Sequence, residues 1–139
     1  MDSIFTKIIK REIPAHIVYE DDLVIAFLDI TQATLGHTLV VPKAQHENII
    51  DMPEDLSGKV FEVVTKVSKA IQKAFQPIGI NILSNNGSFA SQSVFHFHVH
   101  IIPRYQGDDL VHMKMVNHVN ELSKTDFEKR KEAIIASLS

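Results

Sequence analysis

No cysteine occurs in this chain, which removes disulfides, thiolate nucleophiles and cysteine-based zinc sites and makes a reducing compartment, the cytoplasm, the expected location. Nor is there an excess of positive charge: 14 lysines and arginines face 17 aspartates and glutamates, for a net charge of −3. Gripping long nucleic acid through its phosphates needs a basic face, so long nucleic acid is not an expected partner. Long apolar runs are missing as well. Nothing approaches the roughly 20 residues that cross a bilayer, and the opening Met1-Asp2-Ser3-Ile4-Phe5-Thr6-Lys7 does not read as a leader, so neither export nor a membrane partner is expected. Internal repeats, low-complexity tracts and linkers are also lacking. What is present is a chain of 139 residues with 45% hydrophobic content, enough for one ordinary core and one domain. It also carries eight histidines, three of them alternating within five positions.

The pattern of apolar residues predicts a short amphipathic helix over residues 3 to 11, with Ile4, Phe5, Ile8 and Ile9 on one side, ended by Glu12-Ile13-Pro14. Ile17-Val18-Tyr19 and Leu23 to Leu28 read as a hairpin around Glu20-Asp21-Asp22. A third strand is expected over His37 to Val41, stopped by Pro42. Asp51 and Glu54 have capping-box spacing, with Pro53 in the first turn of a helix running to about Phe75. That helix has a broad apolar face, which either covers one sheet and nothing more or covers the sheet and meets a second subunit. Pro77 and Gly79 end it. Ile80 to Leu83 then reads as a fourth strand, Asn85-Asn86-Gly87-Ser88 as a turn, and Val94 to Ile102 as a fifth strand. Residues 104 to 139 form a tail with a weakly periodic segment near Leu110 to Leu122 and a charged helical end from Asp126 to Leu138. The fold class is α+β, about five strands in a mainly antiparallel sheet, with one long helix and one short N-terminal helix.

Strand alternation sends His96, His98 and His100 to one face and Phe97, Val99 and Ile101 to the other, into the core. At about 3.3 Å per residue, neighbouring imidazoles sit roughly 6.6 Å apart, within reach of a single phosphate group. Neutral imidazole attacks phosphorus through one ring nitrogen while the other is held as a donor, and a neighbouring ring donates to phosphate oxygens or the departing group. Two rival readings stand beside this one: histidines that are merely half-exposed on a strand, and a zinc or copper site, since imidazoles at i and i+2 can chelate. Ahead of the row, Asn85-Asn86-Gly87-Ser88 and Ser91-Gln92-Ser93 supply amides, hydroxyls and backbone N–H groups suited to phosphate oxygens.

The run His96 to Ile102 resembles the signature of the histidine-triad (HIT) family. Other segments match at suitable distances: Ile4-Phe5 through Pro14, Glu20-Asp21-Asp22, Ala26-Phe27 through Ile30, His37 through Lys43, and Asn85 through Val94. Together they look like a bacterial-type member of the Hint-like branch, the nucleoside phosphoramidate hydrolases, with residues 1–103 as the HIT domain and 104–139 as an extension packed on the same domain or on a partner subunit. The resemblance implies a homodimer whose sheets join into a larger one, the long helix helping at the interface. It further implies a covalent mechanism without cofactor or metal: His98 attacks the α-phosphorus of a purine nucleoside 5′-phosphoramidate and water hydrolyses the nucleotidyl-histidine. His100 then contacts phosphate, His96 supports the row and Ser93 assists the leaving group. Asn85 and the Ser91 backbone help place the phosphate, Gln92 joins them as a substrate-binding residue, Asp29 binds the ribose, and Ile4, Phe5, Ile8, Phe27 and Ile30 take the base. His37 is expected to be a supporting or structural residue, and His112 and His118 ordinary surface ones.

The chain departs from the family pattern in places. Many bacterial relatives bind structural zinc through two N-terminal cysteines and histidines matching His46 and His96; here Ser3 and Thr6 hold the cysteine positions. Hydroxyls are poor zinc ligands, so no zinc is expected. The tail also lacks the tryptophan-containing ending of many Hint-like members, which leaves leaving-group preference open. Histidine at position 100, rather than glutamine, favours water over a sugar phosphate as final acceptor. The DNA-deadenylating branch adds a basic or zinc-binding module that is missing. Two alternatives remain: diadenosine polyphosphate hydrolysis by the same triad, and a non-enzymatic purine nucleotide-binding regulator.

Overall fold

A computed structural model describes residues 1–110 and 114–138. Chain order runs α1 (Ile4–Ile9), β1 (Ile17–Glu20), β2 (Val24–Leu28), β3 (Thr38–Pro42), α2 (Glu54–Phe75), β4 (Gly79–Leu83), β5 (Val99–Arg104) and α3 (Lys124–Ser137), with short 3-10 turns at Ile49–Asp51, Ser88–Ala90 and Val119–Glu121. The strands form one antiparallel sheet in the order β1-β2-β3-β5-β4, the α+β arrangement expected. Asp21 makes the first hairpin: its Oδ1 accepts the N–H groups of Leu23 and Val24, both at 2.8 Å, closing the turn that Glu20-Asp21-Asp22 predicts.

Alternation along β2, β3 and β5 sorts the core into two layers. On one side Val24, Ala26, Val40, Phe97, Val99 and Ile101 meet Val60, Val63, Val64, Val67 and Ile71 of α2. On the other, Ile25, Phe27, Leu39 and Val41 meet Phe5 and Ile8 of α1. The short helix is thus anchored by two side chains at i and i+3, on the side of the sheet that also carries His96 and His98.

Three local readings are corrected. Asp51 does not cap α2: it sits in the preceding 3-10 turn, where its carboxylate accepts from Glu47 N and Asn48 N. The N-cap of α2 is Pro53, with extended backbone and no capping side chain, so the helix starts at Glu54. The fifth strand begins at Val99 rather than Val94. The register that pairs Leu39 with His100 and Val40 with Val99 would bring Phe97 opposite Pro42, which has no N–H to give. The Phe97 N–H turns instead to His46 O at 2.7 Å, and residues 94–98 leave the ladder. Pro103, expected beyond the strand, lies within β5 opposite Ile80 of β4, at a level where β3 has already ended.

The tail leaves the sheet through Arg104, whose guanidinium donates to Asp108 Oδ2 at 2.9 Å, Asp108 Oδ1 at 2.8 Å and Leu110 O at 3.3 Å. Ser123 caps α3 in a box with Asp126, which starts that helix two residues earlier than expected. None of its residues is buried, and Phe127, Ile134 and Ile135 are exposed. Residues 111–113, with His112, lie outside the described residues. Among the described residues no helix is long and apolar enough to cross a membrane.

Candidate active site

A cavity of about 570 Å³ opens between α1, the β2–β3 loop and the start of β5. Of the residues singled out in the sequence, Ile4, Phe5, Ile8, Phe27, Asp29, Ile30, Asn85, Ser91, Ser93, His98 and His100 line it, and His96 and Gln92 do not. One end is apolar, walled by Phe5 and Phe27 edge to face at 5.5 Å. The other end carries the imidazoles.

Hydrogen bonds assign each ring its tautomer. His98 Nδ1 lies 2.7 Å from His96 O, a carbonyl that can only accept, so Nδ1 carries the proton and Nε2 keeps its lone pair. The ring's hydrogen bond is made through Nδ1, which leaves the Nε2 lone pair out of it, and His98 lines the cavity. His37 Nδ1 accepts the N–H of Ala33 at 3.2 Å, so its proton sits on Nε2, which donates to His100 Nδ1 at 2.9 Å. His100 is thereby left with an Nε2–H. Adjacent rings 5.1 Å apart therefore offer opposite functions, a lone pair at His98 and a donor at His100. This is the division an attack on phosphorus needs. His96 is fully buried, with Nε2 donating to Pro42 O at 2.8 Å and Nδ1 2.7 Å from Ser3 Oγ.

Burial keeps these rings neutral. It lowers the proton affinity of His37, His96 and His98, outweighing the hydrogen bonds and the Asp29 charge that oppose it. At His100 burial, with His98 and His37 nearby, lowers the pKa to about 4. Asp29 is the counterpart. Burial raises its pKa, but the hydroxyl and N–H of Thr31, at 2.7 and 2.8 Å, outweigh this and hold the carboxyl below its ordinary range. Its Oδ2 lies 3.6 Å from His37 Nε2. Asp29, His37 and His100 thus bring one ligand-type atom each within 4.8 Å, a candidate metal cluster, although the His37–His100 hydrogen bond occupies a nitrogen of both rings.

The loop residues divide. Asn85, Ser91 and Ser93 face the cavity. Gln92 is buried, its Oε1 accepting from Gly87 N and its Nε2 donating to Glu47 O and Val94 O, so it shapes the loop from behind. The Ser91 backbone is not free for phosphate as expected: its N–H donates to Ser88 O at 3.0 Å, which leaves the hydroxyl as the group Ser91 offers. Missed in the sequence were Leu39, His16 and Thr31 on the cavity wall and the direct contact of His37 with the row. Strand alternation carries that last signal, because His37 and Leu39 share a face and Leu39 pairs with His100.

Residues 10–107 match the family model described as HIT domain. The chain is 45% identical to Protein hit of Bacillus subtilis over 136 residues, 98% of this chain and 94% of that one. It is 40% identical to Adenosine 5'-monophosphoramidase hnt1 of Schizosaccharomyces pombe, over 75% of each chain. The crystal structure of a HIT family member from Bacillus subtilis superposes with a TM-score of 0.96 at 44% identity, covering 100% of this chain and 99% of the other.

Proposed function

The chain belongs to the HIT domain family, and from that premise we propose that it hydrolyses purine nucleoside 5′-phosphoramidates through a covalent intermediate on His98. The observation that carries this reading is the lone pair of His98 Nε2 at the cavity wall, with Nδ1–H tied to His96 O. Support also comes from the relative named an adenosine 5'-monophosphoramidase.

His98 Nε2 forms a bond to the α-phosphorus and the P–N bond to the amine breaks, the amine leaving with a proton supplied by Ser93 or by solvent. The new N–P bond makes the ring cationic, and the His96 carbonyl then accepts a charge-assisted hydrogen bond that strengthens as the charge develops. The His100 Nε2–H, with Asn85 and the Ser91 hydroxyl, holds phosphate oxygens. Water next attacks phosphorus, giving a proton back to Ser93 or to solvent, and the N–P bond breaks with its electron pair returning to His98 Nε2, which releases the nucleoside monophosphate. The ribose hydroxyls bind Asp29, and the base lies among Ile4, Phe5, Ile8, Phe27 and Ile30.

The working unit is a homodimer. In support, β4 is an edge strand with Ile82 exposed, Phe61 of α2 is exposed, and α3 buries nothing within its own chain.

The test incubates the protein with an adenosine 5′-phosphoramidate and, separately, with a diadenosine polyphosphate, for wild type, His98→Ala and His98→Asn. The expected result is AMP release from the phosphoramidate, lost by roughly 10³-fold or more in both variants. Full activity in either variant removes His98 as nucleophile. Faster cleavage of the polyphosphate redirects the substrate assignment.

A further inference from the structure

Ser3 closes α1 and touches the histidine row at once. Its Oγ accepts the N–H of Thr6 at 3.0 Å, the capping bond of the helix, and lies 2.7 Å from His96 Nδ1. Because His96 Nε2 donates to Pro42 O, Nδ1 of the neutral ring accepts, and the Ser3 hydroxyl proton points to it. Thr6 completes the arrangement, its Oγ1 accepting from Ser3 N at 3.2 Å and donating to Gln45 Oε1 at 3.0 Å.

Residue 96 lies outside the strand ladder, which begins at Val99. The ladder does not hold it in place; the two ends of its ring do, one on Ser3 and the other on Pro42, together with the Phe97 N–H, which shares a peptide plane with the His96 carbonyl and donates to His46 O. Its carbonyl is the group that receives His98 Nδ1–H. The same helix packs the edge of Phe5 against both rings, with centroids 5.8 Å from His96 and 5.0 Å from His98. A shift at Ser3 is therefore passed to the tether of the nucleophile and to the base wall together.

We infer that Ser3 is a positioning residue for His98: by donating its hydroxyl proton to His96 Nδ1 it fixes residue 96, and through that carbonyl the orientation of the attacking ring. This deepens the proposed function and rests on His98 being the nucleophile. The ordinary alternative is a helix cap and nothing more.

Three variants separate the two roles. Ser3→Thr keeps both the cap and the proton. Ser3→Asp keeps a good cap but has no proton for His96, and Ser3→Ala loses both. Melting temperature, kcat and KM for adenosine 5′-phosphoramidate hydrolysis are measured, together with long-range ¹H–¹⁵N spectra of the ring nitrogens. The expected pattern is a Ser3→Thr variant close to wild type in every readout. Ser3→Asp should keep its melting temperature while kcat falls by roughly 10- to 100-fold with little change in KM. Its His98 resonances should move from the single Nδ1–H tautomer toward an average of the two. Ser3→Asp matching Ser3→Thr in kcat and in the His98 spectrum overturns the inference and leaves a cap. A wild type without turnover, or a fully active His98→Ala, overturns the nucleophile reading instead; the spectra then still decide whether Ser3 orients the ring.

Discussion

His37 Nε2 and His100 Nδ1 lie 2.9 Å apart, and the direction of the bond between them decides which function His100 presents to the cavity. With the proton on His37, His100 accepts on one side and shows an N–H on the other. His37→Ala frees the His100 ring to exchange tautomers. Steady-state kinetics should show kcat lower by roughly 10²-fold, in the range of a positioned proton donor, with a smaller change in KM. An unchanged kcat removes His37 from the reaction.

The acid limb of the rate profile follows from burial. Attack needs neutral His98, and burial lowers its pKa below the ordinary value near 6.5. The rate should stay level down to about pH 6.5 and decline only below it. A limb centred at or above about pH 7 contradicts the assignment.

The same rings make stability depend on pH. A histidine kept neutral in the fold with a depressed pKa binds fewer protons than in the unfolded chain, so its contribution is complete above about 6.5 and lost as pH falls. For His100 the loss extends to about 4. Denaturant midpoints should fall steadily between these two values and be level above the upper one.

Asp29→Ala should act on binding. Loss of a hydrogen bond to a charged group is worth about 1.5–3 kcal/mol, or roughly a 10- to 100-fold rise in KM. The same variant should treat a 2′-deoxynucleoside substrate and its ribose form alike, whereas wild type distinguishes them. Discrimination that persists in the variant places the ribose elsewhere.

Ile30 and Phe97 separate affinity from stability. Ile30 is 91% exposed, so Ile30→Ala should leave the melting temperature within error and raise KM. Phe97 is 1% exposed in the α2-side core. Phe97→Ala should cost about 3–5 kcal/mol, read from denaturant unfolding.

Sedimentation should report twice the 15.7 kDa chain mass. Ile82→Lys on the exposed β4 edge should shift the equilibrium toward the single chain, since an edge lysine opposes strand pairing. A wild type that sediments as one chain removes the dimer.

Much of this was legible in the residues. Period-2 alternation separated His96, His98 and His100 from Phe97, Val99 and Ile101, and the helical period of residues 54–75 located α2 to its last turn. Where reading failed, a non-local partner had intervened. The fifth strand starts late because Pro42, distant in sequence, has no N–H and His46 O captures Phe97 N. Asp51 has capping-box spacing yet serves an adjacent turn, since the N–H groups of Glu47 and Asn48 donate to its carboxylate. Gln92 looked like a polar loop residue among others, and its burial depends on Gly87, Glu47 and Val94 closing around it. Pairings of this kind leave no local periodicity.

The neutrality of the buried rings has a consequence for selectivity. Among the described residues that line the cavity, a phosphate approaching His98 and His100 meets dipoles and a lone pair but no lysine or arginine, and the carboxylate there is that of Asp29. The cavity wall supplies no charge that attracts an anion, and the one it carries repels, so added salt should not weaken nucleotide binding. Inorganic phosphate, drifting in alone, gains little by stopping there. An anion carried in by a base that fills the apolar end and a ribose that reaches Asp29 is held where the lone pair points.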